Sequence, residues 1–206
     1  MKLLLATGNA GKLREFRRLL EPLGHSLASL ADLGLTQAPE PASTFVENAL
    51  LKARSGCAAS GLPTLADDSG IVVPTLGGAP GVHSARYAED EVGPDNQNRS
   101  PGNSPDTDNN ARLLRELDGV TDRRAYFYCV LVLLRDADDP VPLIASGAWH
   151  GAIGRAPEGA NGFGYDPLFR CASDGRSAAT LSPDEKSARS HRGHAWRQLR
   201  DQLDQL

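Results

Sequence analysis

The most constraining stretch of this chain is its opening strand, turn and helix. Leu3-Leu4-Leu5-Ala6 is followed by Thr7-Gly8-Asn9-Ala10-Gly11-Lys12, and then by Leu13, Phe16, Leu19 and Leu20. The small or apolar residues at the front predict a short buried strand, and the apolar spacing after Lys12 is that of one helix face. A strand that turns through glycines into a helix gathers backbone N–H groups and the positive end of a helix dipole in one spot. Phosphate is the ligand such a spot favours. Lys12 adds a mobile positive charge at its mouth. The first reading is a nucleotide-phosphate site, and the alternative is an ordinary βα turn. A Walker P-loop is excluded, because two residues rather than four separate Gly8 from Gly11 and Leu13 stands where Ser or Thr is required.

A chain of 206 residues makes one large domain or two small lobes. Its net charge of -4 argues against general binding to nucleic acid or to anionic membranes, so a phosphate site here must be a local basic patch. The apolar run at 125–134 is too short to span a bilayer. Lys2 with three leucines is too brief for a signal-peptide core. Cys57, Cys129 and Cys171 are odd in number and widely spaced, which reads as reduced core thiols rather than a disulfide framework or zinc site. A cytoplasmic protein is expected.

Further along, residues 25–30 predict a second short strand, and the prolines of 38–43 mark a loop. Thr44 and Glu47 form a capping box for a helix that Gly61 and Pro63 stop. Asn48 and Lys52 share a face of that helix, and Lys52 is either a solvated lysine or part of a site. Thr64-Leu65-Ala66 predicts a strand, Asp67-Asp68-Ser69-Gly70 a turn, and Ile71-Val72-Val73 a second strand. Residues 89–110 are rich in Asp, Asn, Pro, Gly and Ser and predict a surface loop. A helix at 111–117, strands at 124–134 and 143–150, and helices started by Ser182 and Ser190 complete the chain. Ala195, Leu199, Leu203 and Leu206 line one face of the last helix.

Three constellations carry chemistry. Asp67 and Asp68 are adjacent carboxylates at a strand end. Mg²⁺ takes one or two such groups and completes its shell with water and substrate phosphates. Turn chemistry alone is the alternative. Phe163-Gly164-Tyr165-Asp166 offers an aromatic face, a polar edge and backbone amides suited to a base, or else closes a core beneath a loop. Lys186, His191 and Arg192 place donors near helix starts, where cations gain nothing from the dipole and answer to an anion or a carbonyl. His191 and His194 are three apart, without a Cys or carboxylate beside them, and are rejected as a zinc pair.

Taken together and in order, these motifs resemble the inosine triphosphate pyrophosphatase family, of the bacterial dITP/XTP pyrophosphatase type. The resemblance rests on residues 7–12, on Phe45-Val46-Glu47-Asn48-Ala49 with Lys52-Ala53, and on Ala66-Asp67-Asp68-Ser69-Gly70. It continues in Pro80-Gly81-Val82-His83-Ser84-Ala85-Arg86-Tyr87, Gly162-Phe163-Gly164-Tyr165-Asp166-Pro167, Glu185-Lys186-Ser187 and Ser190-His191-Arg192-Gly193. It implies an elongated α/β fold: a long curved mixed sheet with flanking helices, one domain over 1–206 whose two lobes flank a nucleotide cleft. It also implies a homodimer and Mg²⁺-dependent hydrolysis of ITP, dITP and XTP to monophosphate and pyrophosphate. On matching positions, Thr7, Gly8, Asn9, Ala10, Gly11 and Lys12 become triphosphate-loop residues. Asp68 becomes the metal-binding or proton-accepting carboxylate, with Glu40 as the nearest match to a further metal carboxylate. Ser69, Phe163, Gly164, Tyr165, Asp166, Lys186, His191 and Arg192 become nucleotide contacts, with Arg192 or backbone amides reading the 6-oxo group of the base.

Three departures stand out. Pro74 replaces an acidic residue common in the family, His83 replaces a Tyr, and a loop at about 94–105 reads as an insertion. Two rivals follow from the same residues, a nucleotide-binding sensor without hydrolysis and a Maf-like pyrophosphatase of standard or methylated nucleotides.

Overall fold

A computed structural model of the chain describes residues 2–90 and 103–203. Strand β1 (Lys2–Leu5) puts three consecutive leucines out of solvent, as a strand covered on both faces requires. It pairs in parallel with β2 (Ser26–Ser29) and with β3 (Thr64–Val72). With β4 (Arg124–Leu134), β5 (Leu143–Ile153) and β6 (Phe169–Cys171) these make one open mixed sheet ordered β2-β1-β3-β4-β5-β6, in which β6 runs antiparallel to β5. The flanking helices are α1 (Ala10–Leu20), α2 (Phe45–Ser60), α3 (Asp106–Glu116), α4 (Pro183–Arg189) and α5 (His191–Leu203).

The chain divides into two compact units. The first holds Met1–Asp68, Cys129–Ala148 and Ser187–Leu206. Its core joins Leu3, Leu5 and Leu65 of the sheet to Phe16 and Leu20 of α1, and to Trp196 and Leu199 of α5. The second unit holds Ser69–Tyr128 and Trp149–Lys186. There Phe169 packs against Phe127 and Trp149, with ring centroids 4.7 and 5.0 Å away, above Leu113 of α3 and Tyr165. Tilted ring pairs at these distances contribute beyond their buried area.

The helix ends follow their sequence signals. Asn9 caps α1 by accepting from the Lys12 amide at 3.0 Å, so Ala10, Gly11 and Lys12 lie in the first turn and the loop before them is shorter than expected. The capping box of α2 takes an altered form. The Thr44 hydroxyl donates to Glu47 at 2.5 Å while accepting from the Glu47 amide at 3.4 Å. Gly61 ends α2 in the left-handed conformation, at φ 66°. Ser182 and Glu185 make a reciprocal box before α4, and Ser190 accepts from the Gly193 amide at the start of α5.

Two expectations are corrected. Asp67-Asp68-Ser69-Gly70 is not a turn, because β3 runs straight through it. The turn preference of Asp, Ser and Gly loses to buried cations that hold the two carboxylates in place. In addition, α3 begins at Asp106, inside the stretch expected to be loop, because Leu113 has a core to enter. Most of the insertion expected at about 94–105, and Leu206, lie outside the described residues.

Helix α5 packs on β5 with backbone against backbone. A Cβ on Gly147 would lie 2.2 Å from the His191 carbonyl oxygen and 2.6 Å from the Ala195 amide. Gly147→Ala is expected to cost about 1–3 kcal/mol of stability through the forced separation. Urea unfolding measures it, and an unchanged midpoint would show that the helix shifts freely.

Candidate active site

In a β-strand successive side chains leave on opposite faces. Asp67 and Asp68 sit next to each other within β3. Each has its own partners in the first unit.

Asp67 is fully buried. Its Oδ1 pairs with the Lys12 ammonium, and its Oδ2 accepts from Arg192 Nε at 2.9 Å and from the Cys129 thiol at 3.1 Å. Arg192 is also buried and reaches Glu15 of α1 with a second nitrogen. Burial pushes the Asp67 carboxyl up, but the charges of Arg192 and Lys12 outweigh it and hold the group well below the usual carboxylate range. Burial likewise drives the Cys129 thiol far up, with the Asp67 charge adding to it, so the thiol stays protonated and donates.

Asp68 takes the other face. Its Oδ1 accepts from Lys52 Nζ at 2.7 Å, and the same ammonium donates to Glu40 Oε1 at 2.9 Å and to the Asp67 carbonyl at 2.7 Å. Of the two readings of Lys52, the structure selects the buried one, at 3 % exposure. Burial raises the Asp68 pKa, a rise that Lys52 and Lys12 only partly offset. Its Oδ2 is buried with no hydrogen-bond partner among the described residues. Glu40 is tied in further by Gln37, whose amide donates to Glu40 at 2.9 Å and whose oxygen accepts from the Gly8 amide at 2.9 Å. Gln37 was not singled out from the sequence. An exposed loop glutamine carries no local signal of such a bridge.

The amides of the opening loop are less open than expected. Gly8 donates to Gln37, Asn9 to the Thr7 hydroxyl at 3.2 Å, and Lys12 to Asn9. Ala10 and Gly11 provide the remaining first-turn amides at the positive end of α1. Lys12 is an anchored charge rather than a mobile one, since Asp67 holds it.

Mg²⁺ fits this donor set. Asp68 and Glu40 are hard carboxylates on one ammonium, and a buried carboxylate oxygen without a partner is the kind of atom a cation would satisfy. Among the described residues no three His, Cys, Asp or Glu side chains gather as a closed metal cage.

The second unit holds the aromatic set. Lys186 Nζ bonds Asp166 Oδ2 at 2.5 Å and lies 4.7 Å from the centroid of the Phe163 ring. The Phe163 amide donates to the same carboxylate at 2.9 Å. Gly162 is required here, because at φ 79° a Cβ would sit 2.0 Å from Asp166 Oδ2. Tyr165 is a core residue whose hydroxyl donates to the Ser84 carbonyl at 2.9 Å, so the core-closing alternative holds for it, whereas Phe163 is half-buried. Ser69 is half-buried on β3.

Lys186 belongs to the second unit, while His191 and Arg192 are buried on the first turn of α5 in the first. Arg192, expected to read the 6-oxo group, has its guanidinium engaged by Asp67 and Glu15.

The role of Ser84 was also missed. Its hydroxyl accepts from the Ile71 amide at 2.9 Å and donates to the Gly81 carbonyl at 2.6 Å. Gly70 permits this approach, since a Cβ there would lie 2.4 Å from that hydroxyl.

The two carboxylates should separate in stability. Asp67→Asn leaves buried cations without their counter-charge and should cost about 3–5 kcal/mol. Asp68→Asn leaves Lys52 the Glu40 carboxylate and the Asp67 carbonyl as partners and should cost less than Asp67→Asn. Urea unfolding in a chelator decides, and the reverse order would refute the assignment.

Comparison with known proteins agrees along the whole chain. A dITP/XTP pyrophosphatase of Ralstonia nicotianae is 52% identical over 202 residues, covering 98% of this chain and 96% of that protein. One from Escherichia coli O157:H7 is 48% identical over 204 residues, 98% of each. Among solved structures, a HAM1 protein from Coxiella burnetii superposes with a TM-score of 0.85 at 41% identity over 100% of both chains. The Staphylococcus aureus Ham1 protein does so at 0.81 and 33%, covering 99% of this chain and 98% of that one. The sequence model of the Ham1 family matches residues 3–202, and this chain belongs to that family.

Proposed function

We infer that this protein is a nucleoside triphosphate pyrophosphatase that hydrolyses non-standard purine nucleotides, ITP, dITP, XTP and dXTP, to the monophosphate and pyrophosphate, with Mg²⁺. The observation that carries the chemistry is Asp68, a buried carboxylate with one oxygen on Lys52 and the other without a partner among the described residues. The substrate class comes from the relatives, which are named dITP/XTP pyrophosphatases.

Hydrolysis of an anhydride asks the protein to position charge rather than form a covalent bond. When bound, Mg²⁺ held by Asp68 and Glu40 would neutralise negative charge on the phosphate oxygens. Lys12 and the first-turn amides of α1 bind the triphosphate, with Lys12 held in place by Asp67. Water attacks the α-phosphorus, the α–β anhydride bond breaks, and pyrophosphate leaves with the bonding electron pair. The proton of the water passes to the Asp68 carboxylate, which serves as metal ligand and as acceptor by turns. In the second unit Phe163 stacks on the base, and backbone amides of its loop donate to the 6-oxo group. Adenine carries a 6-amino donor instead, and two facing donors cost roughly 1–3 kcal/mol, about 5- to 150-fold in selectivity.

The proposal places the enzyme in the cytoplasm as a homodimer. Three buried free cysteines suit a reducing compartment, and no helix among the described residues is long and apolar enough to cross a membrane. The dimer rests on the resemblance alone.

A panel of ITP, XTP, dITP, GTP, ATP and pyrimidine triphosphates, with pyrophosphate and orthophosphate measured separately, tests the reading. Pyrophosphate release from ITP and XTP, abolished by a chelator, is expected. Binding without release would indicate a sensor, and faster turnover of pyrimidine substrates would indicate a Maf-like enzyme. Asp68→Asn should abolish turnover while nucleotide still binds, and retention of more than about a tenth of kcat would remove Asp68 from the chemistry.

A further inference from the structure

The loop that carries Phe163 is held by a helix to which neither the sequence motifs nor the proposed chemistry gives a role. Asp106 and Asn110 are four apart, on one face of α3. Asp106 Oδ2 accepts from the Gly164 amide at 2.6 Å, and Asn110 Nδ2 donates to the Gly164 carbonyl at 3.0 Å. These bonds grip the peptide groups on either side of one Cα. Gly164 is the residue at which the loop can swivel most, with φ at 61° and open space where a Cβ would be. Beyond it Tyr165 is anchored by its bond to Ser84, and before it Phe163 stands half-buried beneath Lys186. Gly164 is thus the pivot between an anchored residue and the ring that meets the base, and the bonds from α3 lock the rotation about that pivot.

The helix is itself fixed. Leu113 is fully buried in the core, and Asn109 accepts from the Ala88 amide at 2.8 Å while donating to the Ser104 carbonyl at 3.3 Å.

We propose that Asp106 and Asn110 are specificity-determining positioning residues, which set the Phe163 ring and the Asp166–Lys186 pair against the base by clamping Gly164. The proposal rests on the nucleotide reading above. Stability alone does not account for Asn110. Its Oδ1 is buried with no hydrogen-bond partner among the described residues, a cost that an apolar side chain would avoid. The bonds to Gly164 lie in partly exposed surroundings, where water can replace them in the folded protein. What water cannot replace is the fixed direction of the loop.

The test uses Asn110→Leu, Asp106→Ala, the double variant, and Asp106→Asn, which keeps an acceptor oxygen. Four quantities are measured: the melting temperature, IMP affinity by calorimetry, KM and kcat for ITP and ATP, and inhibition by tripolyphosphate, which has no base. The double variant should bind IMP about five-fold or more weakly, with the loss for ITP carried by KM and the preference for ITP over ATP reduced. Tripolyphosphate inhibition should stay at the wild-type level and the melting temperature within about 4 °C, while Asp106→Asn restores binding. Wild-type IMP affinity and selectivity in the double variant would overturn the clamp. So would an equal loss of IMP and tripolyphosphate binding. A wild-type protein that binds IMP but does not hydrolyse ITP would sink the proposed activity and leave the clamp to be judged by IMP affinity. One that does not bind IMP would refute both.

Discussion

Asp67 is a full negative charge without exposed surface, and most of the first unit's polar architecture is arranged to make that tolerable. A lone carboxylate so deeply buried would take up a proton. Lys12 from the first turn of α1, Arg192 from the first turn of α5 and the Cys129 thiol from β4 converge on it, and Arg192 extends the set to Glu15. Two helices and two strands are thereby tied at one point. Such a cluster is poor evidence for stability by itself, because desolvation offsets much of the attraction. Its consequence is positional, since it dictates where the ammonium of Lys12 stands.

The neighbouring carboxylate lives under the opposite rule. Asp68 is buried but under-compensated, with one cation shared with Glu40 and one oxygen left over. Two identical side chains, adjacent in sequence, are thus pushed apart in pKa by environment alone, Asp67 downward and Asp68 upward. The strand's period of two makes this possible, because it sends neighbours to opposite faces.

Much of the fold was legible because its signals are local. The opening strand and helix, the stop of α2 at Gly61, the serine caps of α4 and α5 and the strand at 124–134 all follow from spacing or caps within a few residues. The failures are equally instructive. Asp67-Asp68-Ser69-Gly70 has turn composition, yet it lies in a strand between β1 and β4 whose carboxylates meet Lys12, Lys52 and Arg192, all remote in sequence. Residues 106–110 have loop composition, and only Leu113 with its core makes them helical. Gln37, Asp106 and Asn110 carry no motif at all, and the motif around Ser84 says nothing of its partner, since what each does is set far along the chain.

The sequence by itself determined which residue types were available for the chemistry and, through its ordered motifs, the family. It also identified Asp68, Lys12 and the Phe163–Asp166 loop as the stretches to watch. The tertiary structure alone decided how those residues are divided: that Asp67 pairs with Lys12 and Arg192, that Asp68 shares Lys52 with Glu40, and that Lys186 pairs with Asp166. Composition and spacing describe what a side chain is. Its charge state, its partners and its direction depend on burial and on groups tens of residues away, and only the folded chain brings those together.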